Sequence, residues 1–286
     1  MRFGPDRPRG PDVAARRKRP DAAMRFSDQV VWITGASSGI GEALAVQFSR
    51  EGARLVLSSR RPAALERVRA RCARPDEHVI SPLDLARSET FPAIVRSVLA
   101  QRPRIDLLVN NGGVSQRSRA IDASPATERE LMEVDYFGQI ALTKAVLPAM
   151  LDRRAGRVVV ISSVMGYVGT PGRSSYAAAK HALHGYFDSL RAELWRDGVK
   201  VTLVCPGYVQ TAVGANALGP TGKNEQVHAE SSRGISAERC AAKIFRGLHR
   251  RRDEIYVGGP EVAAIYLQRF VPWLFSRMVR RFKFRA

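Results

Sequence analysis

Tyr176 and Lys180 stand four residues apart in Ser174-Ser175-Tyr176-Ala177-Ala178-Ala179-Lys180. The stretch reads as the start of a helix, and that spacing puts both side chains on one face. The pairing has a chemical consequence. A free phenol titrates near about 10 and is a poor acid or base at neutral pH. An ammonium group held beside it favours the phenolate. A shift of about three units takes roughly 4 kcal/mol of differential stabilisation. A cation and a helix N-terminus in a dry pocket reach that scale. An ordinary amphipathic helix also carries Tyr-x-x-x-Lys, so the reading depends on residues elsewhere.

The elements that would position this pair alternate along the chain. Residues 29–34 (QVVWIT) form a short apolar run, read as a buried strand. Gly35-Ala36-Ser37-Ser38-Gly39-Ile40-Gly41 follows at once, and then a helical pattern over 42–50. Strand, glycine turn and helix open a dinucleotide-binding βαβ unit, although the spacing is Gly-x-x-x-Gly-x-Gly rather than Gly-x-Gly-x-x-Gly. Glycines let the backbone approach a pyrophosphate, which sits on the N–H groups of the helix start. A second strand at 54–58 runs into Ser59-Arg60-Arg61, where an NAD-selective site usually has an acid. Arginine there suits a 2′-phosphate, so NADP(H) is expected ahead of NAD(H).

Further strands are expected at 78–81, 105–109, 157–162, 200–205 and 254–257. Helices are expected at 62–73, 88–100 with Ser88 as a cap, 127–151 around Asp135, 174 onward, and 236–251. Residues 212–235 lack a period and read as a lid. Strands alternating with helices imply an α/β fold with one doubly wound parallel sheet and helices on both faces. Ligands in such sheets bind beyond the strand C-termini. Gly35 to Gly41, Asn110-Asn111-Gly112-Gly113, Ser163 and Pro206-Gly207 all fall there.

Composition bounds the alternatives. The chain has 286 residues and a formal charge of +19. Residues 1–23 carry seven basic and three acidic residues, and 265–286 carry six basic and no acidic ones. About half the excess therefore lies in the ends. It permits anionic-membrane contact, while no nucleic-acid-binding module is recognisable. Residues 1–23 are read as a disordered basic extension upstream of a natural start at Met24. They lack the apolar core of a secretory signal, and their prolines oppose an amphipathic transit helix. Cys72, Cys205 and Cys240 form no CxxC and read as reduced thiols in a cytoplasmic protein, Cys205 in a buried strand. The five histidines have no metal-ligand spacing. His181 and His184 lack an evident carboxylate partner, so no metal is expected.

This set of residues resembles the short-chain dehydrogenase/reductase family over 24–259. The motifs are Thr34-Gly35-x-x-x-Gly39-Ile40-Gly41, Asn110-Asn111-Gly112-Gly113, Ser163, Tyr176-x-x-x-Lys180 and Pro206-Gly207-x-x-x-Thr211. Asn110 through Ser118 (NNGGVSQRS) is similar to the branch called dehydrogenase/reductase member 7, above all to its bacterial relatives. The resemblance implies a Rossmann-type domain and an oxidoreductase interconverting a secondary alcohol and a ketone. It implies Tyr176 as general acid/base, Lys180 as its activator and a ribose ligand, and Ser163 as a donor to the substrate oxygen. It places Gly35, Ser37, Ser38, Gly39, Ile40 and Gly41 around the phosphates, and Asp84 and Leu85 at the adenine. Arg60 would meet the 2′-phosphate, with Asn111, Gly113, Pro206 and Gly207 along the cofactor cleft and Val209 and Thr211 at the nicotinamide amide. A homodimer or homotetramer is also implied.

There are two departures. The family's Asn-Asn-Ala-Gly is Asn-Asn-Gly-Gly here, and the asparagine expected in the long helix is Asp135. An ionised aspartate accepts but does not donate, which unsettles a proton relay to the lysine.

Val164, Met165, Tyr167 and Val168 near the catalytic end point to a hydrophobic substrate, such as a steroid-, retinoid- or lipid-like carbonyl. Residues 260–286 mix aromatics with arginines, and Pro272 interrupts any single helix. Their apolar runs are too short to span a bilayer but suit contact with an anionic membrane surface. The rival function is a low-turnover NADP(H)-binding redox sensor at a membrane, which Asp135 and the basic tail motivate.

Overall fold

The computed structural model describes residues 26–214, 217–223 and 234–281. The extension at 1–23 and half of the expected lid lie outside them. Seven parallel strands form one sheet. They are β1 (Val30–Thr34), β2 (Arg54–Ser58), β3 (Val79–Ile80), β4 (Leu107–Asn110), β5 (Gly156–Ile161), β6 (Val199–Pro206) and β7 (Glu254–Val257). Their spatial order is β3-β2-β1-β4-β5-β6-β7, all parallel. The order reverses between β1 and β4, and the crevice beyond their ends is where such sheets bind ligands.

The helices are α1 (Gly39–Arg50), α2 (Pro62–Arg71), α3 (Phe91–Gln101), α4 (Pro125–Met132), α5 (Gly138–Asp152), α6 (Ser174–Glu193), α7 (Ala237–His249), α8 (Ala263–Phe270) and α9 (Pro272–Val279). Alternate residues of each central strand serve opposite faces. Val31 and Ile33 of β1 join one core with Leu44 and Phe48 of α1, Leu65 of α2 and Ile244 of α7. Val30 and Trp32 join the other with Val95 of α3, Leu142 of α5 and Phe187 of α6. Burial on both faces explains why these strands read as continuous apolar runs. The indole N–H of Trp32 donates to Ser58 Oγ (2.9 Å), so this buried donor is satisfied.

Three local expectations change. α1 begins at Gly39, within the glycine turn rather than after it. Ser88 opens a one-turn 3-10 helix (Ser88–Thr90) and caps nothing; α3 starts at Phe91. The long helix around Asp135 is not uniformly α: a π-helical turn, Glu133–Phe137, joins α4 to α5. Such bulges re-aim side chains at functional sites. The Pro272 ring has no N–H, and the chain breaks between α8 and α9 at Val271.

Candidate active site

Thr34, at the end of β1, ties the two halves of the crevice together. Its Oγ1 accepts the backbone N–H groups of Asn111 and Gly112 (3.0 Å each). Asn111 Nδ2 donates to Thr34 O (3.0 Å) and Gly35 O (3.2 Å). Gly35 and Gly39 have φ values of +62 and +60, which favour glycine. Ser38, the N-cap of α1, makes no side-chain cap, leaving the helix start open to an anion. The turn therefore has the open backbone and clear space a pyrophosphate needs.

One cavity of about 610 Å³ runs along the strand ends. It is lined by Gly35, Ser37, Ser38, Gly39, Ile40, Arg60, Asp84, Leu85, Asn111, Gly113, Ser163, Tyr176, Lys180, Pro206, Gly207, Val209 and Thr211. Two expected residues do not line it. Gly41 is buried beneath the turn, where an added Cβ would lie 2.4 Å from Gly35 O and 2.5 Å from Asn111 Nδ2. It packs α1 closely onto the turn. Asp135 is fully buried behind the cavity wall. Arg61 also lines the cavity, and its Nη2 donates to Ser37 Oγ (3.3 Å). Glu130 of α4, which no motif singles out, lines the cavity too.

The catalytic candidates converge from three elements. Ser163 follows β5; its Oγ accepts from Met165 N (3.1 Å) and donates weakly to Pro206 O (3.4 Å). Tyr176 lies in the first turn of α6. Lys180 lies one turn on, with Nζ 5.5 Å from the Tyr176 ring centre. Lys180 is 4% exposed, and its Nζ stands 3.1 Å from Asp135 Oδ2. Asp135 Oδ1 accepts from Val114 N (2.7 Å). Burial pushes the Asp135 carboxyl upward against the pull of Lys180. Burial alone would lower Lys180, but Asp135 and Tyr176 outweigh it and hold its pKa up. The carboxylate thus sits on the lysine itself.

The residues first read as a hydrophobic substrate wall are placed otherwise. Val164 and Val168 pack under α8 and α9 with Ile265 and Phe275. Tyr167 donates its hydroxyl to Glu254 Oε1 (2.8 Å). The cavity's apolar lining includes instead Val114, Val134, Val213 and Leu218, and Val114 and Leu218 pack with Tyr176. Their positions in separate segments hid them from the sequence.

His184 does have carboxylate neighbours: its ligand atom lies within 4.8 Å of those of Asp188 and Glu254. Asp188 is paired to Arg191 (2.7 Å), and Glu254 accepts from Tyr167 and Tyr256. These carboxylates are already engaged by protein donors. His184 Nε2 meets Ser162 Oγ (3.0 Å), and burial pulls its pKa down.

The family model for short chain dehydrogenases matches residues 29–219. The chain is 38% identical over 276 residues to dehydrogenase/reductase SDR family member 7 of Homo sapiens, covering 92% of this chain and 81% of that one. It is 41% identical over 268 residues to a dehydrogenase/reductase SDR family protein 7-like of Anopheles gambiae, covering 91% and 84%. These relatives are animal proteins rather than bacterial ones. A crystal structure of a short-chain dehydrogenase from Streptomyces avermitilis superimposes with a TM-score of 0.76 at 31% identity, covering 90% and 99%. The single parallel sheet with helices on both faces agrees with these likenesses. The chain belongs to the short-chain dehydrogenase/reductase family of NAD(P)-binding oxidoreductases.

Proposed function

We propose that the protein is an NADP(H)-preferring oxidoreductase interconverting a secondary alcohol and a ketone on a small hydrophobic substrate. One observation carries this reading. Ser163, Tyr176 and Lys180 share a cavity with an open helix N-terminus and two arginines at the far end. When bound, the nicotinamide supplies the hydride for reduction or takes it for oxidation. Tyr176 Oη gives the proton to the carbonyl oxygen, or takes it from the alcohol. Ser163 Oγ donates a hydrogen bond to that oxygen as its negative charge grows. Lys180 would hold the ribose hydroxyls and orient the phenol. Arg60 and Arg61 would meet a 2′-phosphate. Val114, Val134, Val213 and Leu218 favour an apolar substrate, in the range of steroid-, retinoid- or lipid-like carbonyls.

The test is NADPH oxidation with a panel of hydrophobic ketones. Turnover by the wild type that Tyr176→Phe loses, with cofactor binding kept, supports the reading. Cofactor binding without turnover across the panel favours the alternative, a low-turnover redox sensor.

We also propose peripheral contact with an anionic membrane through α8 and α9. Tyr266, Phe270, Trp273 and Met278 are exposed there, 75% in the case of Phe270. Residues 262–281 carry four arginines and no acid. Among the described residues no helix is long and apolar enough to cross a membrane. Aromatics and arginines on one short helix pair suit the headgroup region. Pelleting with anionic liposomes, with and without residues 262–286, tests it; equal recovery in the supernatant rejects it. The family is generally oligomeric, and a homodimer or homotetramer is proposed, to be measured by light scattering.

A further inference from the structure

The Lys180–Asp135 ion pair is an unusual neighbour for a phenol that must exchange a proton. Both partners are buried, with side-chain exposures of 5% and 0%. The π-helical turn at Glu133–Phe137 aims Asp135 inward, and Val114 N holds its other oxygen at 2.7 Å. Gly113 leaves room for this approach, since a Cβ there would lie 3.0 Å from Asp135 Oδ1, a tight contact.

We propose that Asp135 is a positioning residue that shares the charge of Lys180, so that Tyr176 is kept as a proton donor and the site is poised for carbonyl reduction at neutral pH. This rests on the reaction class proposed above. A lone ammonium favours the phenolate; one already neutralised by a carboxylate favours it much less. Reduction needs the protonated phenol and oxidation needs the phenolate, so the pairing sets the direction the site serves best.

The groups around Lys180 support assigning the effect to Asp135. From its own helix, Lys180 faces Tyr176; from the π turn, Asp135; from β5, only the Ile161 carbonyl, at 3.5 Å. His184, one turn further along α6, is engaged with Ser162. Glu128 accepts from Ser175 Oγ (3.0 Å), and Arg173 donates to Ser115 Oγ (2.8 Å). Glu130, Asp84, Arg60 and Arg61 line the same cavity. No other carboxylate among the described residues forms an ion pair with Lys180.

The experiment compares pH–rate profiles for ketone reduction and alcohol oxidation in the wild type and Asp135→Asn. Asparagine keeps the size and the acceptor for Val114 N but removes the charge. The expected result is a shift of both profiles toward acid by about one to two pH units, with oxidation at pH 7 rising about tenfold relative to reduction. Unmoved profiles with a uniform loss of kcat would overturn the proposal and leave Asp135 merely structural. Asp135→Ala gives the same comparison should the asparagine variant not fold. A further readout needs no Asp135 variant: the absorbance near 295 nm of wild type minus Tyr176→Phe. A phenolate signal at pH 7 contradicts the proposal, and its absence supports it. Failure of the reaction class itself is separately visible, as full activity in Tyr176→Phe.

Discussion

The side-chain carbonyl of Gln116 accepts the backbone N–H of Tyr176 at 3.2 Å, and that of Ser175 at 2.8 Å. α6 has no side-chain cap of its own, since Arg173 provides none. A fully buried residue 60 positions upstream therefore caps the helix that carries Tyr176 and Lys180. Gln116 Nε2 is held in turn by Ser118 Oγ (3.1 Å).

Gln116→Leu should leave two buried N–H groups without an acceptor. A loss of about 1–3 kcal/mol in urea unfolding is expected, with kcat reduced more than cofactor affinity. Gln116→Glu keeps an acceptor oxygen at a helix N-terminus and should recover most of the stability. Equal damage from both variants would show that shape rather than the cap matters.

At Gly112, where the family has alanine, a side chain would require Leu85 to shift. A Cβ at 112 would lie 2.7 Å from Leu85 Cδ1. Gly112→Ala should weaken cofactor binding several-fold by pushing Leu85 into the cavity it lines. Adding Leu85→Val should restore binding, a coupling that a double-mutant cycle measures as non-additive.

His78 links stability to pH. Its Nδ1 accepts from Leu55 N (3.2 Å) and its Nε2 donates to Ala73 O (2.9 Å), which fixes the neutral tautomer. Burial pulls its pKa below the usual 6.5. Below that value the unfolded chain binds the extra proton more readily than the folded one. Stability is thus full above about pH 6.5 and falls as pH drops toward the lowered folded value. His78→Gln offers an acceptor and a donor without titrating. It should flatten part of the acid slope in urea midpoints between pH 7.5 and pH 5, and His184, which burial also lowers, contributes in the same direction.

Arg60 and Arg61 frame the cofactor choice. Removing either guanidinium should cost about 1.5–3 kcal/mol of charge-assisted binding to a 2′-phosphate, or roughly ten- to hundredfold in NADPH affinity. NADH affinity should stay within about twofold, because NADH carries no 2′-phosphate to pair with. Fluorescence titration of both cofactors measures the ratio. An unchanged ratio would place the arginines outside recognition.

Much of this was legible in the chain. Strand β1, the glycine turn and the Tyr176–Lys180 face are local, set by period and by glycine position. The single parallel sheet with helices on both faces followed from alternation of strands and helices. What was hidden depends on distant segments meeting. The Lys180–Asp135 pair spans 45 positions and is aimed by a π turn that no motif in the sequence announces. Val164 and Val168 looked like substrate wall because nothing local shows that α8 and α9 cover them. Gly41 read as a phosphate ligand because motif spacing does not distinguish a glycine facing the ligand from one facing the helix.

The most direct measurement is transfer of deuterium from NADPH labelled at the reactive nicotinamide carbon to a hydrophobic ketone. Mass spectrometry of the alcohol should find one deuterium on the carbinol carbon with the wild type, and none above background with Tyr176→Phe. Bound labelled cofactor that delivers no deuterium to any ketone tested would contradict the proposed reaction.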